Sequence, residues 1–242
     1  MKRILVIDIG GTHVKVLVTG ENAPRKTPSG PDLTAEAMVQ AVLSMTEDWP
    51  HDVISIGYPG PVLRGKPRVE PRNLGTGWVG FNYETALGKP TRILNDAAMQ
   101  ALGSYQGGRM LFLGLGTGLG SALIYDGELE PMELAHLAYK KGKTFEDYLG
   151  LRGLKRLGKK SWRRAVADVV ERLIAAFEVD YVVLGGGNVD RLKELPPGSR
   201  RGDNANAFVG GFRMWDDKSS SDIGCEAKGA EPAQPVSAEG SE

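Results

Sequence analysis

Two short glycine turns, each gripped between apolar β-forming runs, constrain this 242-residue chain more than anything else in it. The first is Ile4-Leu5-Val6-Ile7-Asp8-Ile9-Gly10-Gly11-Thr12-His13-Val14-Lys15-Val16-Leu17-Val18. The second is Met110-Leu111-Phe112-Leu113-Gly114-Leu115-Gly116-Thr117-Gly118-Leu119-Gly120-Ser121-Ala122-Leu123-Ile124-Tyr125. β-Branched, aliphatic and aromatic residues flank glycines that tolerate positive φ, so each segment reads as strand, tight turn, strand. Such a turn exposes consecutive backbone N–H groups, a concave site that binds anions and phosphate above all. Two of them in one chain predict a phosphoryl group held from both sides of a cleft.

Charge and composition narrow the partners. Lys plus Arg equals Asp plus Glu at 30 each, which argues against nucleic acid or an anionic membrane as the main partner. No apolar run approaches the ~20 residues that span a bilayer. The start, Met1-Lys2-Arg3-Ile4, passes straight into a strand containing Asp8, too short and too acidic for a signal peptide. A single cysteine, Cys225 in a polar stretch, supports neither a disulfide framework nor a thiolate metal cluster. The expected location is the cytoplasm.

Strands and helices alternate, which places the chain in the α/β class. Residues 3–19 read as a hairpin and 23–32 as a Pro/Gly/Ser-rich loop. Apolar spacing predicts a helix over 34–49 capped by Thr34, then a buried strand over 53–57 and a long loop over 62–82. A strand over 91–94 hands over at Asn95-Asp96 to a helix over 97–105. After the second strand pair come a helix over 161–177, a strand over 181–184 and a last helix over 205–215. From 216 onward apolar residues almost vanish, and disorder is expected. The order hairpin, helix, hairpin, helix is an approximate internal duplication in hydropathy and turn chemistry.

A plain hairpin turn needs neither an acid before it nor a hydroxyl after it. Asp8 is therefore a candidate to hold Mg²⁺ through water, with Gly10, Gly11 and Thr12 facing phosphate. Lys15 lies in the same hairpin and is either a cleft cation or a solvated strand lysine. Gly116-Thr117-Gly118-Leu119-Gly120 is not a Walker loop, because no Gly-Lys-Ser/Thr follows. Nor is it a dinucleotide fingerprint, because a strand and not a helix comes after it. Asp96, at a strand end, is either a helix cap or a general base that takes a hydroxyl proton. Glu133 and His136 do not make a zinc-protease motif but are good partners for sugar hydroxyls. The basic stretch from Lys155 to Arg164 reads as a solvated helix start that could also attract a polyanionic donor.

With these motifs in order, the chain resembles the ROK family of sugar kinases, within the sugar kinase, Hsp70 and actin superfold, over roughly residues 3–215. The resemblance implies two α/β domains of the actin-like ATPase fold with a cleft between them. Its boundaries would be 1–107, completed by the helix at 204–215, and 108–203, with 216–242 as a tail. It implies a hexokinase- or glucokinase-type transfer to the 6-hydroxyl of a hexose, with ATP or polyphosphate as donor and Mg²⁺ as cofactor. Asp8, Gly10, Gly11, Thr12 and Lys15 would serve the phosphates together with Gly116, Thr117 and Gly118, and Gly185, Gly186 and Gly187 would lie by a nucleotide. Asn73, Asn95, Asp96, Glu133 and His136 would bind the sugar, with Glu146 as a weaker match and Asp96 as the catalytic base. The family's cysteine-rich zinc motif is missing and Ala135 replaces the glycine before the histidine, so no zinc is expected and the nearest branch is that of polyphosphate glucokinases. The family also implies a homodimer, and the absence of a helix-turn-helix extension argues against its repressor members. A non-catalytic sugar-binding protein that keeps the fold is the alternative, and ATP against polyphosphate stays open.

Overall fold

In the computed structural model, which describes residues 2–216, strand β1 (Ile4–Ile9) is apolar toward both faces and buried along almost its whole length. A strand of that kind belongs in the middle of a sheet covered on both sides. β1 pairs antiparallel with β2 (His13–Val18), which pairs with β3 (Arg25–Pro28), and parallel with β4 (Val53–Tyr58), which pairs with β7 (Thr91–Asn95). The order is β3-β2-β1-β4-β7. The second sheet repeats it. Strand β8 (Arg109–Leu115) pairs antiparallel with β9 (Leu119–Tyr125) and parallel with β11 (Tyr181–Gly185), with β10 (Glu128–Met132) and β12 (Ser199–Arg201) at the edges. In the chain between β4 and β7 comes a small separate hairpin of β5 (Val62–Leu63) and β6 (Lys66–Pro67), inside the segment read as a long loop. The duplication legible in hydropathy is thus a duplication of strand order and direction.

Helix α1 (Ala35–Met45) covers the first sheet, with Thr34 as its cap, its Oγ1 accepting the N–H of Ala37. A short α2 (Tyr83–Leu87) lies beside it. Helix α5 (Leu151–Phe177) covers the second sheet, burying Trp162, Val166, Val169, Val170 and Leu173. It begins at Leu151 and not at Ser161, preceded by α4 (Phe145–Leu149) and bent at Gly158, whose φ of 71° and ψ of 161° only glycine holds without strain. The segment expected to be disordered, 216–242, lies outside the described residues apart from Asp216.

Helix α3 (Asp96–Ser104) is the hub. Ala97, Ala98 and Ala101 pack on Met110, Phe112, Ala122 and Ile124 of the second sheet, while Met99 packs with Val6, Val53 and Leu94 of the first. The last helix, α6 (Asn206–Arg213), lies against α3 backbone to backbone. A Cβ at Gly210 would sit 1.8 Å from the Met99 carbonyl oxygen, and one at Gly103 would sit 1.9 Å from that of Asn206. Arg213 donates to the carbonyls of Leu102 at 2.7 Å and Tyr105 at 3.0 Å, satisfying groups that the end of α3 leaves over. Ser55, buried in β4, donates to the Gly211 carbonyl at 2.6 Å. The end of the described chain therefore holds the helix that starts at Asp96.

Candidate active site

Each β1–β2 and β8–β9 turn is tied down by its own backbone and by one side chain from elsewhere. In the first, the Gly10 N–H donates to the His13 carbonyl at 3.0 Å, and Ser29 Oγ donates to the Gly10 carbonyl at 2.6 Å. In the second, the Gly116 N–H is spent on the Gly114 and Gly118 carbonyls, and Asn188 Nδ2 donates to the Gly116 carbonyl at 2.8 Å. The N–H groups of Gly11, Thr12, Thr117 and Gly118 donate to nothing among the described residues. Rigid turns with outward N–H groups are what an anion requires. Gly186, at φ 83°, presses on the second turn: a Cβ there would lie 2.7 Å from the carbonyl oxygen of Leu115.

Between the turns opens a cavity of about 490 Å³. Gly11, Asn73, Asn95 and Asp96 line one part, and Gly116, Thr117, Gly118, Glu133, His136, Glu146 and Gly186 the other. Asp8, Gly10, Thr12, Lys15, Gly185 and Gly187 are not on its wall. Lys15 pairs with Asp8 across the β1–β2 ladder, while Gly185 packs over the Phe112 ring.

Asp96 opens α3 at the end of β7. The cap is not Asp96 but Asn95, whose Oδ1 accepts from Ala97 at 3.0 Å and Ala98 at 3.2 Å while its Nδ2 donates to the Gly60 carbonyl at 3.0 Å. Those bonds leave Asn95 one amide hydrogen for a ligand. Asp96 accepts one further bond, from the Ala97 N–H at 2.8 Å to Oδ1. Burial pushes its carboxyl up to about 7, and the nearby carboxylates of Asp8 and, less strongly, Glu133 add to the rise. Burial also raises Asp8, with Lys15 opposing it. The arrangement keeps one carboxyl near neutral pH poised between its two forms, the condition a general base needs.

Glu133 leads a single helical turn over Leu134–His136, and both Glu133 and His136 are exposed to the cavity mouth. Ser121 fixes that turn, donating to the Met132 carbonyl at 2.8 Å and accepting from Leu134 at 3.1 Å. Ala135 points into the second core, 3% exposed, so its methyl is absorbed without displacing Glu133 or His136. Glu146 is a neighbour of the second turn: Oε2 accepts the Leu119 N–H at 3.3 Å, and a Cβ at Gly118 would be 2.5 Å from it. Arg152 at 3.3 Å and Arg72 at 3.9 Å flank its other oxygen. Sequence reasoning missed Gln100, one helical turn beyond Asp96 on the cavity wall, and Arg72. A helical count from Asp96 (i, i+4) was the available signal for Gln100; none pointed to Arg72.

The family model described as the ROK family matches residues 4–131, more than half of the chain. The chain belongs to the ROK family. This ROK chain is 28% identical over 204 residues to a polyphosphate glucokinase of Mycobacterium leprae (strain TN), an alignment covering 75% of it and 62% of that protein. It is 28% identical over 208 residues to a polyphosphate glucokinase of Mycobacterium tuberculosis (strain CDC 1551 / Oshkosh), covering 75% and 76% respectively. The crystal structure of an inorganic polyphosphate/ATP-glucomannokinase from Arthrobacter sp. strain KM superposes with a TM-score of 0.74 at 23% identity, over 87% of this chain and 97% of that one. The fold is therefore that of the actin-like ATPase sugar kinases, and no helix among the described residues is long and apolar enough to cross a membrane.

Proposed function

We propose that this ROK chain is a hexose kinase, moving the terminal phosphoryl group of polyphosphate or ATP to the 6-hydroxyl of a sugar, with glucose as the first candidate. The observation that carries the reading is Asp96: a buried carboxyl held near pH 7 on a cavity wall shared with two glycine turns, in which the N–H groups of Gly11, Thr12, Thr117 and Gly118 have no acceptor among the described residues. As the sugar O6 attacks phosphorus, its proton passes to Asp96. The O6–P bond forms, the bridging P–O bond breaks, and a shortened polyphosphate or ADP leaves. General-base help of this kind is worth about 10²–10⁴-fold, and positioning with charge neutralisation supplies most of the rest. Asn73, the remaining amide hydrogen of Asn95, Glu133 and His136 orient the sugar, while Gly11, Thr117 and Gly118 take the phosphates, with Thr12 beside Gly11 just off the cavity wall. Glu146 serves as a further sugar contact or as the neighbour of the second turn.

Magnesium belongs to the same reading, because it takes one or two carboxylates with phosphate oxygens and water, and Asp8, next to the first turn though off the cavity wall, is the carboxylate that would hold it through water. When bound, it neutralises charge on the transferred group. The division at 107/108, with α6 returning to the first half, is supported by α6 packing on β1, β4 and α3. A cytoplasmic homodimer belongs to the same reading, and light scattering on the purified chain tests the dimer.

The deciding test is glucose 6-phosphate formation with Mg²⁺, with ATP and polyphosphate run side by side and a control without sugar. Product with either donor is expected. Sugar binding by calorimetry without transfer from either donor, over a hexose panel, overturns the kinase and leaves a binding protein.

A further inference from the structure

From Tyr148 to Ala167 the chain carries seven cations and no acid: Arg152, Lys155, Arg156, Lys159, Lys160, Arg163 and Arg164. In a chain with no net charge, such a block is a local choice. A solvated helix face ordinarily alternates signs, and like charges four apart destabilise a helix. Three such pairs, 152/156, 159/163 and 160/164, lie within a continuous helical stretch, and two more, 155/159 and 156/160, span the bend at Gly158. A segment that breaks a local rule without a compensating contact is where function is expected.

The structure puts this block at the door of the cavity. The first N–H of α5, that of Leu151, donates to the carbonyls of Gly116 and Thr117, both at 3.1 Å, so the helix grows directly from the second glycine turn. Three of the cations are committed. Arg152 pairs with Glu146 and Asp147, Arg156 donates to the Asp147 carbonyl at 2.7 Å and lies over the Tyr148 ring, and Arg163 donates to the Arg191 carbonyl at 2.6 Å. The other four, Lys155, Lys159, Lys160 and Arg164, are exposed and have no ion pair among the described residues. Counted along the chain at 1.5 Å per residue, the two helical stretches on either side of the Gly158 bend span about 9 Å each, together longer than a cleft-bound triphosphate needs.

We infer that Lys155, Lys159, Lys160 and Arg164 form a track outside the cavity for the distal phosphates of a long linear polyphosphate, whose end lies on the second glycine turn. The inference rests on the kinase reading above and deepens it by naming the donor class. A repeating polyanion gains counterion release at every neutralised phosphate, whereas ATP ends before it reaches the track.

The test replaces all four with glutamine (Lys155→Gln, Lys159→Gln, Lys160→Gln and Arg164→Gln) and measures KM for long-chain polyphosphate, tripolyphosphate and ATP at several salt concentrations. The expected result is a rise of about tenfold or more in KM for the long chain. The slope of log KM against log salt should flatten by up to about three, at ~0.7 per lost contact. KM for tripolyphosphate and ATP should stay within about twofold, which also shows that the variant is folded. An unchanged KM for the long chain overturns the track, as does an equal loss with all three donors. Wild-type turnover with ATP alone overturns it too and leaves the kinase standing. If no donor works the kinase reading falls by itself, and calorimetry with long-chain polyphosphate on wild type and variant then decides the track: equal binding overturns it, weaker binding to the variant supports it. A single-stranded RNA that displaces the polyphosphate at equal concentration and loses affinity equally in the variant overturns polyphosphate as the occupant.

Discussion

Replacing Asp96 with asparagine should disable the chain as a catalyst and, at the same time, make it harder to unfold. The carboxyl rises from an ordinary 3.8 to about 7 on folding, burial being the main cause and Asp8 the next. A group whose folded pKa lies above its unfolded value lends its full stability below the unfolded value and loses it as pH climbs through the folded one. Between pH ~4 and ~7 the wild type therefore loses stability that Asp96→Asn, neutral throughout, keeps. Three pKa units at ~1.4 kcal/mol each set a ceiling near ~4 kcal/mol, and water entering the open cavity brings the expectation to about 2–4 kcal/mol at pH 8. In a chain of this size that is a rise in Tm of roughly 4–16 °C. Asparagine keeps the shape and can still accept the Ala97 N–H, so packing contributes little. The assay is a pair of thermal melts from pH 5 to 8, with turnover measured on the same samples. Turnover should fall by about 10²–10⁴ with sugar affinity nearly unchanged. Parallel melting curves would refute the desolvated carboxyl, and near-normal turnover would refute the base.

The acid limb of kcat/KM should have a midpoint near 7, rising with pH as Asp96 loses its proton, and Asp8→Asn should move that midpoint down by up to about one unit, because Asp8 helps to hold Asp96 up; a pH–rate profile of residual activity reads this directly. Gly186→Ala meets both a φ of 83° and the Leu115 backbone at 2.7 Å, and should cost at least ~2 kcal/mol and distort the second turn, seen as a Tm loss of about 4–8 °C with weaker donor binding. Gly210→Ala forces α6 off α3, since its Cβ would fall 1.8 Å from the Met99 carbonyl oxygen, and should cost more than ~4 kcal/mol by denaturant melts. The neighbouring Val209→Ala, on the exposed side, should stay within about ±0.5 kcal/mol.

What could be read in advance follows from burial. β1, β4, β8 and β11 are apolar toward both faces, so unbroken runs of Val, Ile and Leu announced them and their glycine turns. The edge strands β3, β10 and β12 gave no such signal, whereas β7 was read as a strand over 91–94. Arg25-Lys26-Thr27-Pro28 and Ser199-Arg200-Arg201 look like loops, because an edge strand is held by backbone pairing and needs no apolar face. The first turns of α5 were hidden by Gly153, Gly158 and the cations around them, which lower helix propensity without preventing a helix that Trp162 and its neighbours anchor. At the site, the pair Asn95-Asp96 was legible as a strand end, but the division of labour was not. Which side chain caps and which stays free depends on φ and ψ at the junction, where Asn95 at ψ 145° turns its amide onto the helix and leaves the carboxyl of Asp96 for the cavity. Gln100 and Arg72 were missed because their roles come from which way a helix and a long loop face, a tertiary property.

The contact between α3 and α6 also has a consequence for how the chain is made. Domains tend to fold from the N-terminus as synthesis proceeds. Here the seat of α3 is shared with Gly210, Gly211 and Arg213, more than a hundred residues later. A nascent chain that has finished its first sheet still lacks the partner for Val6, Ser55 and the carbonyl end of α3. The acid at the head of that helix is aligned only once residues 206–213 have emerged and docked. Unfinished chains on the ribosome would thus carry both phosphate turns without a positioned base, and could hold a donor without spending it.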